Sequence, residues 1–97
     1  MVAARATICN KKGLHARAAA KLVNLAASFD ADLTILRLPR VGEGEKTEKA
    51  GATSILSLLM LAAERGVEVE VQGVGADAEK AVQEIIALIE RRFEEEE

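Results

Sequence analysis

Tryptophan and tyrosine are absent from this sequence, and Phe29 and Phe93 are its only aromatic residues. A chain so poor in flat side chains has no platform for stacking bases. With a net charge of −3 it also has no basic excess to follow a phosphodiester backbone, so nucleic acid is not an expected partner. Cys9 is the single cysteine, which excludes an internal disulfide and a cysteine-rich zinc site. It suits a small packing residue near the end of a first strand, in a reducing compartment. No stretch approaches the roughly 20 apolar residues needed to span a bilayer. The start, Met1-Val2-Ala3-Ala4-Arg5, lacks a charged region followed by a sustained apolar one, so the expectation is a cytoplasmic protein without membrane attachment.

What is present is aliphatic. Hydrophobic residues make up 49% of the 97, enough for one core and one domain spanning 1–97. The four glutamates at 94–97 carry more negative charge than the whole chain nets, so the remaining body is close to neutral. That acidic tail reads as the solvated end of a helix.

The period of the apolar pattern switches along the chain. Val2, Ala4, Ala6 and Ile8 alternate with their neighbours as on a half-buried strand, which gives way to a turn over Asn10 to Gly13. Ala19, Leu22, Val23 and Ala26 fall on one helical face between Ala16 and Phe29. Asp32 to Leu38 reads as a second strand, stopped by Pro39. Arg40 to Ala52 is glycine-containing and charged and reads mainly as a solvated loop, with a weak third strand around Lys46 to Lys49. Ser54 to Ala63 is a dense apolar helix closed by Arg65-Gly66. Val67, Val69 and Val71 alternate with Glu68, Glu70 and Gln72, giving a strand with one dry face. Ala78, Val82, Ile85 and Ile89 then mark the stripe of a last helix, with Ala81, Leu88 and Phe93 beside it. A mixed or antiparallel sheet with helices on one face fits this β-α-β-(β)-α-β-α order; a ferredoxin-like split arrangement fits it too, and pattern alone does not choose.

The chemistry concentrates at the only histidine, His15, in the run Gly13-Leu14-His15-Ala16-Arg17. There a strand and turn give way to a helix, so the imidazole sits near the positive end of a helix dipole, with free backbone N–H groups and a guanidinium close by. That is an environment for handling phosphate. A ring nitrogen attacks phosphorus only when unprotonated, as imidazole largely is at neutral pH. The amides of Ala16 and Arg17 with the Arg17 side chain form a sufficient cradle for the phosphoryl oxygens. By itself a lone histidine or arginine at a helix start is more often a cap or a solvated charge; it is the combination that carries weight. The second informative stretch is Ser54 to Ala63, whose apolar residues occupy more than one face, so some of them are expected to stay exposed. Ser54, before that run, suits an N-cap, with Thr53 as its rival. There is no metal-ligand cluster and no glycine-rich nucleotide loop, which argues against an autonomous enzyme, and no cofactor is expected.

These residues resemble the HPr phosphocarrier family of the bacterial phosphoenolpyruvate-dependent phosphotransferase system. The likeness rests on Gly13-Leu14-His15-Ala16-Arg17, on Ser54-Ile55-Leu56, on Gly66 followed by alternating valines, and on Gly75-Ala76-Asp77-Ala78 opening a long helix. The resemblance implies an α+β open-faced β-sandwich, a four-stranded antiparallel sheet with three helices on one face in the order β-α-β-β-α-β-α, and so a real third strand. It implies a monomeric stoichiometric carrier that accepts a phosphoryl group on Nδ1 of His15 (a pros-phosphohistidine) from Enzyme I. The group then passes to EIIA-type acceptors of sugar uptake, with Arg17 assisting. It also implies that Ile55, Leu56 and Leu59 contact partners, and that Ser54 matches a serine modified by an HPr kinase/phosphorylase. The sequence departs from the family at Ala18, where proline is common; at Ser57, usually glycine; at Thr53, commonly basic; and in a longer connection over 38–52. A nitrogen or carbon regulatory branch, and a non-phosphorylated binding module, are the alternative expectations.

Overall fold

Alternating apolar residues close into one sheet, and the helical stripes cover one side of it. The computed structural model describes residues 1–39 and 47–95. Strands β1 (Val2–Thr7), β2 (Asp32–Arg37), β3 (Glu48–Gly51) and β4 (Glu68–Val74) are interleaved with helices α1 (Ala16–Ala27), α2 (Ile55–Met60) and α3 (Ala78–Glu90). A short 3₁₀ turn follows at Arg92–Glu94. The sheet order is β1-β4-β2-β3 with every neighbouring pair antiparallel, the open-faced arrangement expected from the family resemblance rather than from periodicity alone.

Strand β4 is central, and its alternation determines the two faces. Val69 and Val71 point into the core with Ala6 of β1 and Leu33 and Ile35 of β2, while Glu68 and Glu70 face away. On the uncovered face Arg5 stands opposite Glu70 and donates through Nε at 3.0 Å, and Gln72 donates to the other oxygen at 2.6 Å. These contacts, Gln72 first and then Arg5, hold the Glu70 carboxyl below its ordinary range. From the covered side, α1 buries Ala18, Ala19, Leu22 and Ala26, and α3 buries Ala81, Val82, Ile85, Leu88 and Ile89. Gly73 permits the close approach of α3: a Cβ there would lie 3.0 Å from both Leu33 Cδ2 and Val82 Cγ2.

Three boundaries differ from the sequence expectation. The helix expected over Ser54 to Ala63 stops at Met60, well short of Arg65-Gly66, because the chain turns back to hold another segment. Ala62 adopts a left-handed φ of 51°. The Ala63 carbonyl then accepts from Leu14 N–H at 2.9 Å, and Gly66 N–H donates to Ile8 O at 2.7 Å. Continuing the helix would forfeit both bonds. The third strand begins at Glu48 and runs to Gly51, later than the Lys46 to Lys49 window, and Ile35 pairs with Ala50. Lys46, with Arg40, Glu43 and Glu45 of the expected solvated loop, lies outside the described residues. Finally, α3 ends at Glu90 and a left-handed turn at Arg92–Glu94 redirects the chain, while Glu96 and Glu97 of the expected acidic tail lie outside the described residues. Cys9 is half-buried, its thiol directed at the Ile89 carbonyl at 3.5 Å, a packing position as expected. Among the described residues no helix is long and apolar enough to cross a membrane.

Candidate functional site

The site is built by the turn between β1 and α1. Gly13 takes a φ of +68°, a conformation that disfavours residues with a Cβ. Its position leaves no room for a side chain either: a Cβ would come within 2.7 Å of Ala63 O and 2.9 Å of Glu64 Cα. Gly13 N–H donates to Asn10 O, while the fully buried Asn10 side chain donates from Nδ2 to Gly13 O at 2.7 Å. The loop is thus closed on itself and tied to the 61–67 segment through Leu14. It delivers His15 in an extended conformation to the N-cap of α1.

His15 acts as that cap through its ring. Nδ1 accepts from the Arg17 N–H at 3.2 Å, and the His15 carbonyl accepts the first helical bond, from Ala19 N–H at 2.8 Å. Ala16, Arg17 and Ala18 precede that bond, so their amides have no acceptor within the helix and point out at its positive end. Nδ1 therefore carries a lone pair aimed at a helix N-terminus. The other nitrogen, Nε2, lies 2.5 Å from Glu95 Oε2. An acceptor Nδ1 and a donor Nε2–H are mutually consistent and define a single tautomer.

Glu95 arrives by an unusual route. After α3, Arg92, Phe93 and Glu94 have φ of 60°, 54° and 65°, three successive left-handed residues. For L-residues each costs roughly 1–2 kcal/mol. The turn is held down by Phe93, whose side chain is completely buried, and by Lys21, which donates from Nζ to Phe93 O at 2.7 Å. The second oxygen of Glu95 accepts from Asn10 Nδ2 at 2.9 Å, so one amide joins the histidine loop to the terminal carboxylate. Asn10 Oδ1 stays buried and without a partner among the described residues. Burial works to raise the Glu95 carboxyl, but hydrogen bonds from Asn10 and His15, with the charge of Lys12, outweigh it and hold the group below the usual carboxylate range.

Around the ring lies an open cleft of about 610 Å³ lined by Lys11, Lys12, His15, Arg17, Lys21, Glu94 and Glu95. Four cations face two carboxylates there, so the cleft favours an anion. Among the described residues no group of three or more His, Cys, Asp or Glu is arranged to hold a metal ion. The half-buried His15 ring and the exposed Arg17 line this cleft, and the exposed Ala16 lies between them in the chain. Ser54 sits elsewhere, as the N-cap of α2, accepting from Ser57 N–H at 3.2 Å; the cap is Ser54 and not Thr53. Ile55, Leu56 and Leu59 are 41, 69 and 37% exposed, and Met60, which the sequence reading did not single out, is 75% exposed. This apolar patch does not line the cleft, although α1 and α2 pack together.

A family model described as "PTS HPr component phosphorylation site" matches residues 2–91. The chain belongs to the HPr family. It is 49% identical over 89 residues to phosphocarrier protein NPr of Shewanella violacea, covering 92% of this chain and 89% of that protein. Against phosphocarrier protein HPr of Cupriavidus necator the identity is 40% over 89 residues, covering 92% and 91%. The crystal structure of HPr-C-His from Thermoanaerobacter tengcongensis superposes with a TM-score of 0.83 at 33% identity, covering both chains completely. This HPr-type protein is accordingly a phosphocarrier, a stoichiometric component and not an enzyme.

Asn10, Lys11, Lys12, Lys21, Glu94 and Glu95 belong to the site but were not singled out from the sequence. Lys21 had a legible signal, since it follows Arg17 by four residues and shares its helical face. Glu95 itself had none, because a run of glutamates looks solvated; the hint lay two residues earlier in Phe93, a lone aromatic among charges.

Proposed function

We propose that Nδ1 of His15 receives a phosphoryl group from the phosphorylated Enzyme I of a phosphotransferase system and passes it to an EIIA-type domain. The observation that carries this reading is the Nδ1 lone pair facing the first-turn amides of α1 in a cation-lined cleft. The lone pair attacks phosphorus in line with the bond to the donor, which breaks with its electron pair. The Arg17 N–H that caps Nδ1 in the free protein then loses its acceptor and is available to a phosphoryl oxygen. A neutral hydrogen bond is exchanged for a charge-assisted one, roughly twice as strong. The Ala16 N–H, the helix dipole and the Arg17 guanidinium add to the stabilisation of the dianion. No ion pair to the Arg17 guanidinium occurs among the described residues, which leaves it available to phosphate.

The higher identity to a relative named NPr than to one named HPr favours the nitrogen-related branch over sugar uptake. The exposed Ile55, Leu56 and Leu59 supply an apolar docking surface that suits several acceptors. A phosphate on Ser54 would add about −1.5 to −2 charges at the edge of that surface and weaken docking.

The test combines the protein with phosphoenolpyruvate and Enzyme I. An acid-labile, base-stable adduct is expected on the wild type and not on His15→Ala; labelling of both removes the reading. Offered nitrogen-branch and sugar-specific EIIA domains in turn, the phosphorylated protein is expected to discharge faster to the former, and faster discharge to the latter reverses the branch assignment.

A further inference from the structure

We propose that Glu95 is a positioning residue for phosphoryl transfer: held at the end of a left-handed C-terminal turn, its carboxylate keeps the proton on Nε2 of His15 and leaves Nδ1 as the nucleophile. The inference rests on the phosphocarrier reading of His15 and deepens it. Three observations carry it. The carboxylate meets Nε2 at 2.5 Å, with side chains 26% and 16% exposed, so water has limited access to the pair. Its other oxygen is fixed by Asn10, which also fixes Gly13, so carboxylate and histidine loop are clamped by one buried amide. The backbone that brings it there is strained at Arg92, Phe93 and Glu94 and is retained by the buried Phe93 and the Lys21 bond. A freely solvated tail needs none of these.

The arrangement makes transfer proton-neutral in both directions. On acceptance the Nδ1 lone pair forms the N–P bond as the donor leaves with the pair from its own bond to phosphorus. Nε2 keeps its hydrogen, and the ring acquires a positive charge facing the Glu95 carboxylate. On donation the acceptor's lone pair takes phosphorus, the N–P pair returns to Nδ1, and the ring leaves as neutral imidazole. Without the carboxylate, the phosphorylated ring more readily gives up the Nε2 proton and would then have to leave as an imidazolate, a far poorer leaving group. A carboxylate oriented on an imidazole N–H serves the same end in serine hydrolase triads. The other charges facing this ring are Lys11 and Lys12 from the loop, Arg17 and Lys21 from α1, and Glu94 from the terminal turn. Among the described residues, Glu95 supplies the carboxylate in contact with the ring.

The experiment follows return of the phosphoryl group from phosphorylated full-length protein to unphosphorylated Enzyme I, which requires no knowledge of the acceptor, between about pH 6 and about pH 9. Glu95→Ala is expected to match the wild type near the acidic limit and to fall about tenfold behind it near the basic limit, the size of one lost charge-assisted hydrogen bond. Glu95→Gln, which retains an acceptor without charge, falls between them. Glu84→Ala, on an exposed position of α3, keeps the wild-type profile. In the unphosphorylated protein, imidazole ¹⁵N shifts should report one Nε2–H tautomer for the wild type and a mixture for Glu95→Ala. Superimposable pH profiles of the wild type and Glu95→Ala would overturn this proposal while leaving the carrier role intact. Failure of the wild type to become phosphorylated on His15 would overturn both.

Discussion

Replacing Gly13 by alanine tests how the β1–α1 turn presents His15. The added Cβ would lie 2.7 Å from Ala63 O and 2.9 Å from Glu64 Cα. Both are backbone atoms, and Ala63 O is held by the Leu14 N–H, so neither can swing aside as a side chain would. The left-handed φ of +68° adds roughly 1–2 kcal/mol for a residue with a Cβ, and overpacking of this kind adds typically about 1–3 kcal/mol. Reduced freedom of the unfolded chain returns about 0.4–1 kcal/mol. The net expectation is a loss of about 2–4 kcal/mol, read as a fall in the urea midpoint at unchanged m, together with slower phosphorylation because the loop must shift. Gly13→Asn separates the two contributions. Asparagine tolerates left-handed φ better but carries the same Cβ, so it should recover only about 1 kcal/mol of the loss. A Gly13→Ala protein within about 0.5 kcal/mol of the wild type, the range of ordinary surface changes, would refute the reasoning.

Other perturbations probe the remaining contacts. Phe93→Ala should cost about 3–5 kcal/mol if the buried ring anchors the terminal turn; a smaller loss accompanied by an unchanged Glu95 contact would show that the turn is held by other means. Ser54→Ala should destabilise by about 1 kcal/mol through loss of the bond from Ser57 N–H, measurable in the same denaturation assay. The Glu95 carboxyl lies below its ordinary value of 4.5 in the folded protein, so its ionisation contributes stability that is fully present above about 4.5 and is lost as pH falls through the lower folded value. The fall in urea midpoint on acidification below that point should therefore be shallower in Glu95→Gln than in the wild type.

The sequence disclosed its elements best where one physical demand acted alone. The β4 valines alternate because one face is dry and the other wet, and the α3 stripe is regular because a single face meets the sheet. The histidine, its arginine and the Ser54 cap were legible because local chain chemistry, a turn followed by a helix start, dictates them. Element ends were less so. Helix α2 stops at Met60 because Ala63 and Gly66 serve partners some 50 residues earlier, Leu14 and Ile8, a demand invisible to local periodicity. The same holds for Glu95, which is 80 residues from His15 and is delivered by a backbone conformation that no propensity favours. The sheet order, too, followed from family resemblance, since alternation fits a ferredoxin-like arrangement equally well.

The carrier chemistry turns on which atom of His15 bears the phosphoryl group. Heteronuclear ³¹P–¹⁵N NMR of the protein phosphorylated by Enzyme I and phosphoenolpyruvate measures this directly. Coupling of phosphorus to Nδ1, with hydrogen retained on Nε2, is the expected result; phosphorus on Nε2, or on any residue other than His15, would contradict the account.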